Sequence, residues 1–130
     1  MKKILLFDDN PLDYDDYIDA LRTQYEVTVV HDIESATRRM RIMPFDLLII
    51  DQMMPTDGVD KKDQFRTGLN FYIQYVADNY SDIPVVIWTH LSDKMYNEFW
   101  EKYSKPSKIM YLKKQGGGEQ FLAKINEFLK

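Results

Sequence analysis

The sequence contains no cysteine, which excludes a disulfide framework and any thiolate metal site. It contains no apolar run near the roughly 18 residues that a transmembrane helix needs, and Lys2 and Lys3 lead into a short strand instead of a signal peptide. An excess of positive charge is also absent, because the formal net charge is -4 at pH 7. That balance argues against a nucleic-acid-binding surface. These absences predict a soluble, cytoplasmic protein that binds neither nucleic acid nor membrane.

What is present is the composition of an ordinary globular domain, with 45% hydrophobic and 29% charged residues. The 130 residues are enough for one domain with a substantial core. The chain shows no repeats, low-complexity tracts or internal linker. We therefore expect a single domain over residues 1–130.

The most informative stretch is residues 45–55, FDLLIIDQMMP. Its continuous apolar run is typical of a strand in a parallel sheet that is covered on both faces. The run ends at a carboxylate, Asp51. Ligands of open α/β sheets bind in the crevice beyond the carboxyl ends of the strands. Asp51 is therefore the first candidate for chemistry.

Strands and helices are predicted to alternate along the chain. Asp32 is a candidate N-cap for the second helix, and Gly116, Gly117 and Gly118 predict a flexible turn before the last one. Alternation of this kind favours a parallel sheet with right-handed crossovers and helices on both faces. We expect a flavodoxin-like (βα)5 doubly wound five-stranded sheet of order 2-1-3-4-5. The predicted strands are residues 4–7, 25–30, 47–50, 85–88 and 109–112.

Residues 56–67, TDGVDKKDQFRT, interrupt this alternation between the third strand and the third helix. They are polar, charged and aperiodic, which predicts an extended loop. Loops of this length are uncommon in compact domains and tend to be functional or mobile. The simplest interpretation is a solvated loop, and its position close to Asp51 also fits gating of a site or partner binding. Helical periodicity resumes with Leu69, Tyr72, Ile73 and Val76.

The expected strand order places the first and third strands side by side, so that Asp8 and Asp9 converge on Asp51. Gathered carboxylates repel one another, and Mg²⁺ is a natural compensation because it binds through one or two carboxylates plus water and phosphate oxygens. The ends of strands four and five add the hydroxyl of Thr89 and an ammonium from the Lys113-Lys114 pair. Carboxylates, metal, hydroxyl and ammonium together suit phosphoryl transfer to a carboxylate.

In these residues the sequence resembles the receiver domain of two-component response regulators, over essentially its whole length. The resemblance implies that Asp51 accepts a phosphoryl group from a histidine kinase or phosphotransfer protein. It also implies that Mg²⁺ is held by Asp8, Asp9, Asp51 and the backbone carbonyl of Met53. Thr89 and Lys114 would contact the phosphoryl group. The matching positions are Asp8, Asp9, Asp51 in IIDQMMP, Thr89 in VVIWTH and Lys114 in YLKK.

The choice of Lys114 over Lys113 rests on alternation along the strand and on its spacing from Tyr111. Tyr111 stands where the family often has an aromatic residue that changes rotamer together with the threonine; static packing is an equal alternative. The sequence departs from the family at two points. Gln115 and three glycines replace the proline that usually follows the lysine in a cis peptide. His90 replaces the usual small residue after the threonine and is either a phosphate neighbour or a surface histidine.

The function that follows is a phosphorylation-dependent switch, in which phosphorylation of Asp51 shifts an equilibrium between two conformations. Such a module catalyses its own phosphorylation and dephosphorylation and is no conventional small-molecule enzyme. Its output would be a downstream protein partner, a homodimer or onward phosphotransfer. One alternative is a degenerate receiver that serves as a phosphorylation-independent interaction module, which His90 and Gln115 motivate. Another is a phosphatase with Asp51 as nucleophile, although Met53 occupies the position where its acid/base carboxylate is expected.

Overall fold

The computed structural model describes residues 1–8, 15–51, 72–80, 82–89 and 108–130, together with the isolated helical positions 97 and 101. The strands are β1 (Lys3–Phe7), β2 (Glu26–Val30), β3 (Leu47–Asp51), β4 (Val85–Thr89) and β5 (Ile109–Lys113). The helices are α1 (Asp15–Arg22), α2 (Ile33–Ile42), a π-helical turn (Tyr72–Val76) that continues into α3 (Ala77–Asn79), and α4 (Gly118–Phe128).

The five strands form one parallel sheet in the order β2-β1-β3-β4-β5. The predicted flavodoxin-like, doubly wound fold is therefore confirmed. Every predicted strand agrees with the structure to within one residue at each end. The central strand β3 is buried along its whole length, as its unbroken apolar run indicates.

Two separate cores lie on the two faces of the sheet, because successive strand side chains point to opposite sides. Leu5, Phe7, Leu48 and Ile50 face α2 and the π-helical turn. Ile4, Leu6, Leu47 and Ile49 face α1 and α4. The helix residues that cover the first face include Ala36, Met40, Tyr72 and Val76, and those that cover the second include Ile18, Leu21, Phe121 and Ile125.

Helix α2 begins as the sequence predicts. The Asp32 side chain accepts a hydrogen bond of 2.7 Å from the backbone N–H of Ser35, which satisfies one of the donors exposed at a helix start. The same bond holds the pKa of the Asp32 carboxyl below its ordinary value, since it stabilises the charged form.

Two local expectations were wrong in detail. Strand β2 begins at Glu26 and not at Tyr25, because the Tyr25 N–H is still bonded to the Leu21 carbonyl at the end of α1. Gly118 is the first residue of α4 instead of part of a flexible turn. The described part of the third helical segment has π-type spacing over Tyr72–Val76, and Tyr72 and Val76 are buried as the sequence predicts.

Several expectations fall outside the described residues. These are the loop at residues 56–67, the start of the first helix at Asn10 and Pro11, and the apolar face predicted for the helix after β4. None of the helices in the described ranges is long and apolar enough to cross a membrane.

Candidate functional site

Three charged side chains meet at the carboxyl edge of the sheet, because side chains alternate between the two faces along each strand and all three belong to one face. Asp8 follows β1 directly, Asp51 is the last residue of β3, and Lys114 follows β5 directly. Each lies an even number of residues after a side chain of the α1–α4 core, so all three belong to that face of the sheet. Pairing of Phe7 with Ile50 then brings Asp8 beside Asp51.

Lys114 bridges the two carboxylates. Its Nζ lies 2.7 Å from Asp8 Oδ2 and 3.2 Å from Asp51 Oδ2. The side chains are almost completely withdrawn from solvent, at 3% exposure for Lys114, 0% for Asp8 and 6% for Asp51. Ionised partners make such hydrogen bonds short and strong, and burial makes the loss of any one partner costly. With all three ionised, the cluster carries one net negative charge.

The structure also distinguishes the two lysines. Lys113 pairs with Thr89 in the β4–β5 ladder, and its side chain is exposed. Lys114 turns toward the carboxylates instead.

The backbone of Asp8 is held by two contacts. Its N–H donates to the Val30 carbonyl over 3.0 Å, and its carbonyl oxygen lies 3.3 Å from Nδ1 of His31.

An aromatic side chain that the sequence did not single out also contacts the site. Trp88 is fully buried on β4, pairs with Asp51 in the sheet, and places its ring centroid 4.6 Å from Lys114 Nζ. Phe121 stacks on the indole at 4.9 Å and an interplanar angle of 16°. Tyr17 meets both rings edge-on, at 5.3 and 5.4 Å. The sequence alone did not reveal this contact. The pairing register of β3 and β4 is needed to place Trp88 on the same face of the sheet as Asp51.

The segment after Lys114 is fastened to α1. The Tyr17 hydroxyl donates to the Gly116 carbonyl over 2.8 Å, and the N–H of Gly118 donates to Asp16 Oδ2 over 3.0 Å. Asp16 thereby supplies a carboxylate to the start of α4, where Gly117 has no side chain with which to cap it. Gly116 has φ +83°, a conformation that other residues rarely adopt. None of the peptide bonds in the described residues is cis, so the loop closes without the family's Lys-Pro geometry.

The structure describes only some of the other predicted site residues. The backbone of Thr89 ends β4 at the same edge of the sheet. Tyr111 is half-buried and packs against the core under α2, on the opposite face from Lys114. Asp9, Met53 and His90 lie outside the described residues.

The described donors fit a hard cation. Within the described ranges no group of three or more His, Cys, Asp or Glu residues is arranged to hold a metal ion. Asp8 and Asp51 nevertheless provide two buried, oxygen-donating carboxylates. Mg²⁺ commonly binds through only one or two carboxylates and keeps water or phosphate oxygens as its other ligands.

The chain has the fold of response regulator receiver domains. Solved structures of such proteins align with nearly the whole length of this chain. A response regulator from Thermotoga maritima has a TM-score of 0.76 and 16% identity, covering 99% of this chain and 98% of that one. The CheY-like response regulator receiver domain protein from Methanospirillum hungatei has a TM-score of 0.73 and 18% identity, covering 99% and 94%.

A third structure is the response regulator protein TrrA from Thermotoga maritima in complex with Mg²⁺-BeF, with a TM-score of 0.72, 21% identity, and 98% and 99% coverage. No protein-family model matches the chain, and no curated protein is similar to it in sequence. The likeness therefore lies in the fold.

Proposed function

We propose that the chain is a single receiver domain that accepts a phosphoryl group on Asp51 and acts as a phosphorylation-dependent signalling switch. One observation carries the proposal: the Lys114 ammonium lies between Asp8 and Asp51, buried at the carboxyl edge of neighbouring strands. A structural ion pair would need one carboxylate. A second carboxylate and the position at the ligand-binding edge of the sheet support a reactive site.

The phosphoryl donor is a phosphohistidine of a histidine kinase or of a phosphotransfer protein. A carboxylate oxygen of Asp51 attacks phosphorus, a new O–P bond forms, and the N–P bond breaks with its electron pair returning to the imidazole nitrogen. Lys114 is within ion-pair distance of Asp51 and neutralises charge on the transferring group. Thr89, at the end of β4, is the proposed hydroxyl contact of a phosphoryl oxygen.

We propose that Mg²⁺ binds at Asp8 and Asp51, assisted by Asp9 and the backbone carbonyl of Met53. The ion would supply neutralisation of the phosphoryl charge, as metal ions do in phosphoryl transfer. The net negative charge of the Asp8–Asp51–Lys114 cluster supports the proposal, since a further cation is electrostatically favoured there. TrrA has a fold similar to that of this chain and was solved in complex with Mg²⁺-BeF, which supports the proposed Mg²⁺ site.

A histidine kinase or phosphotransfer protein is the proposed upstream partner, in the cytoplasm. Downstream output would pass to a protein partner, a homodimer or onward phosphotransfer. The module would catalyse its own phosphorylation and its own dephosphorylation, in which water attacks phosphorus, the O–P bond to Asp51 breaks, and inorganic phosphate leaves.

The test is intact mass spectrometry after incubation with acetyl phosphate, with and without Mg²⁺. Wild-type protein should gain one phosphoryl mass only when Mg²⁺ is present, and Asp51→Asn should gain none. Asp78→Asn is the matched control, because it makes the same chemical change at an exposed carboxylate and should be labelled like the wild type.

Two results would overturn the proposal. A folded wild type that gains no mass and binds no beryllofluoride would be a phosphorylation-independent interaction module. Steady turnover of an aryl phosphate that depends on Asp51 would instead indicate a phosphatase.

A further inference from the structure

Lys114 faces a positioning problem that the carboxylates alone do not solve. A lysine side chain carries a compact charge on a flexible four-carbon stem with several rotamers. The backbone that follows it is glycine-rich and contains no proline: Gln115 is exposed, and Gly116 and Gly117 come next. A phosphoryl group on Asp51 would also alter one of the two carboxylates that hold the ammonium.

We propose that Trp88 is a positioning residue that holds the Lys114 ammonium at the phosphorylation site through the face of its indole ring. The proposal deepens the proposed function and rests on it. The ring centroid lies 4.6 Å from Nζ, inside the distance of about 6 Å at which cations and aromatic faces attract each other. Tryptophan is the strongest partner for such a contact, and desolvation increases its strength. Both groups here are buried.

The indole is itself fixed in place. Phe121 stacks on it and Tyr17 packs edge-on against it, so that rings from α4 and α1 support it on the α1–α4 face of the sheet. Tyr17 also donates to the carbonyl of Gly116, two residues after Lys114. A closed circuit of contacts therefore runs from the Lys114 ammonium to Trp88, then to Tyr17, and back to the chain beside Lys114. The circuit restrains the lysine at both its charged end and its backbone.

The ring would act without touching the transferring group. It attracts the ammonium whether Asp51 is ionised or phosphorylated, because the attraction depends on the ring's own charge distribution. Lys114 would remain at the site when the carboxylate is consumed by phosphorylation.

The experiment compares three variants of the 130-residue chain. Trp88→Leu removes the aromatic face, and Trp88→Phe keeps one. Phe128→Leu is the matched control, because it removes an aromatic ring that packs against the same core cluster at the far end of α4, two helical turns from Phe121. The first measurement is the rate of Mg²⁺-dependent phosphorylation by acetyl phosphate. The second is the ¹⁵N–¹H signal of the Lys114 ammonium in ¹⁵N-lysine-labelled protein, which is visible only when a buried ammonium exchanges slowly with water.

We expect Trp88→Leu to slow phosphorylation about tenfold or more, and Trp88→Phe to restore most of that loss. Phe128→Leu should stay within about twofold of the wild type. The Lys114 ammonium signal should be lost in Trp88→Leu and retained in Trp88→Phe and Phe128→Leu.

Equal losses in Trp88→Leu and Phe128→Leu would overturn the proposal, since core loosening would then explain them. A Trp88→Leu protein with wild-type rate and an intact ammonium signal would overturn it as well. If wild-type protein is not phosphorylated at all, the proposed function fails. The ammonium signals still decide whether Trp88 positions the lysine in that case, so the two failures are distinguishable.

Discussion

Lys114 donates a 2.7 Å hydrogen bond to Asp8, a residue 106 positions earlier in the chain, and both side chains are shielded from water. Neither charge would be tolerated there without its partner, because moving a lone ion out of water costs several kcal/mol. The pair therefore ties the carboxyl edge of β1 to that of β5 across the intervening strands β3 and β4.

Removal of the ammonium should destabilise the fold strongly. Lys114→Met keeps most of the side-chain stem but leaves two buried carboxylates facing each other. We expect its free energy of unfolding, measured by urea denaturation in EDTA at neutral pH, to fall by about 3–5 kcal/mol. Lys124→Met is the control: its side chain is exposed on α4, and its loss should change stability by less than about 0.5 kcal/mol. If both substitutions lowered the free energy of unfolding equally, the buried ion cluster would have no special role in stability.

Neutralising one carboxylate should rescue part of that loss. In the Lys114→Met background Asp51 has lost its compensating charge, so Asp51→Asn relieves repulsion with Asp8. The double variant should be more stable than Lys114→Met alone, and a double-mutant cycle should give a coupling energy above about 0.5 kcal/mol between residues that share this network. Simple additivity of the two substitutions would contradict the prediction.

Magnesium should stabilise the folded protein, because the proposed site exists only when β1 and β3 are paired. At a Mg²⁺ concentration ten times the dissociation constant, binding adds about 1.4 kcal/mol to the free energy of unfolding. Asp8→Asn should abolish this increment, whereas the exposed Asp78→Asn should keep it. Urea denaturation with MgCl₂ against EDTA measures both. An increment that survives in Asp8→Asn would assign the ion to another place.

Two neighbouring glycines should respond very differently to a methyl group. A Cβ on Gly118 would come within 2.6 Å of the Asp16 carbonyl oxygen in α1, whereas a Cβ on Gly117 would meet nothing within 4 Å. Gly118→Ala should therefore push α1 and α4 apart and cost about 1–3 kcal/mol. Gly117→Ala should be neutral or slightly stabilising, since it mainly restricts the unfolded chain. Thermal or urea unfolding of both variants decides the matter.

The cap of α2 should show up as a pH-dependent term in stability. Asp32→Ala should lower the free energy of unfolding by about 1 kcal/mol at neutral pH. The folded pKa of Asp32 is depressed, so the contribution of its charge is present above the unfolded value of 3.8 and is lost as pH falls through the folded value. The difference between wild type and Asp32→Ala should shrink below about pH 3.8.

Asp32→Asn is the control for this cap. It retains a capping oxygen without the titration, so its stability relative to Asp32→Ala should stay constant across the same pH range. A difference between wild type and Asp32→Ala that does not change with pH would contradict a role for the charged carboxylate.

The sheet and the meeting of Asp8 with Asp51 were predictable because they follow from local patterns: apolar runs, alternation, and a small set of allowed strand orders. The contact of Trp88 with Lys114 was not, since it depends on the pairing register of β4 and β5. The start of α4 at Gly118 also escaped prediction. Three consecutive glycines favour a turn by local propensity, and only the closeness of α1 explains a glycine inside the helix. Tertiary contacts decide both features.

The packing of α1 against α4 has a consequence for synthesis. Side chains Ile4, Leu6, Leu47 and Ile49 share the core that these two helices cover. The residues of α4 follow α1 by almost the whole chain. At translation rates of about 5–20 residues per second, α1 waits several seconds for its partner to emerge. During that interval α1 alone covers this face of the nascent sheet. The part that α4 will cover is exposed, and its apolar side chains are where a chaperone would bind.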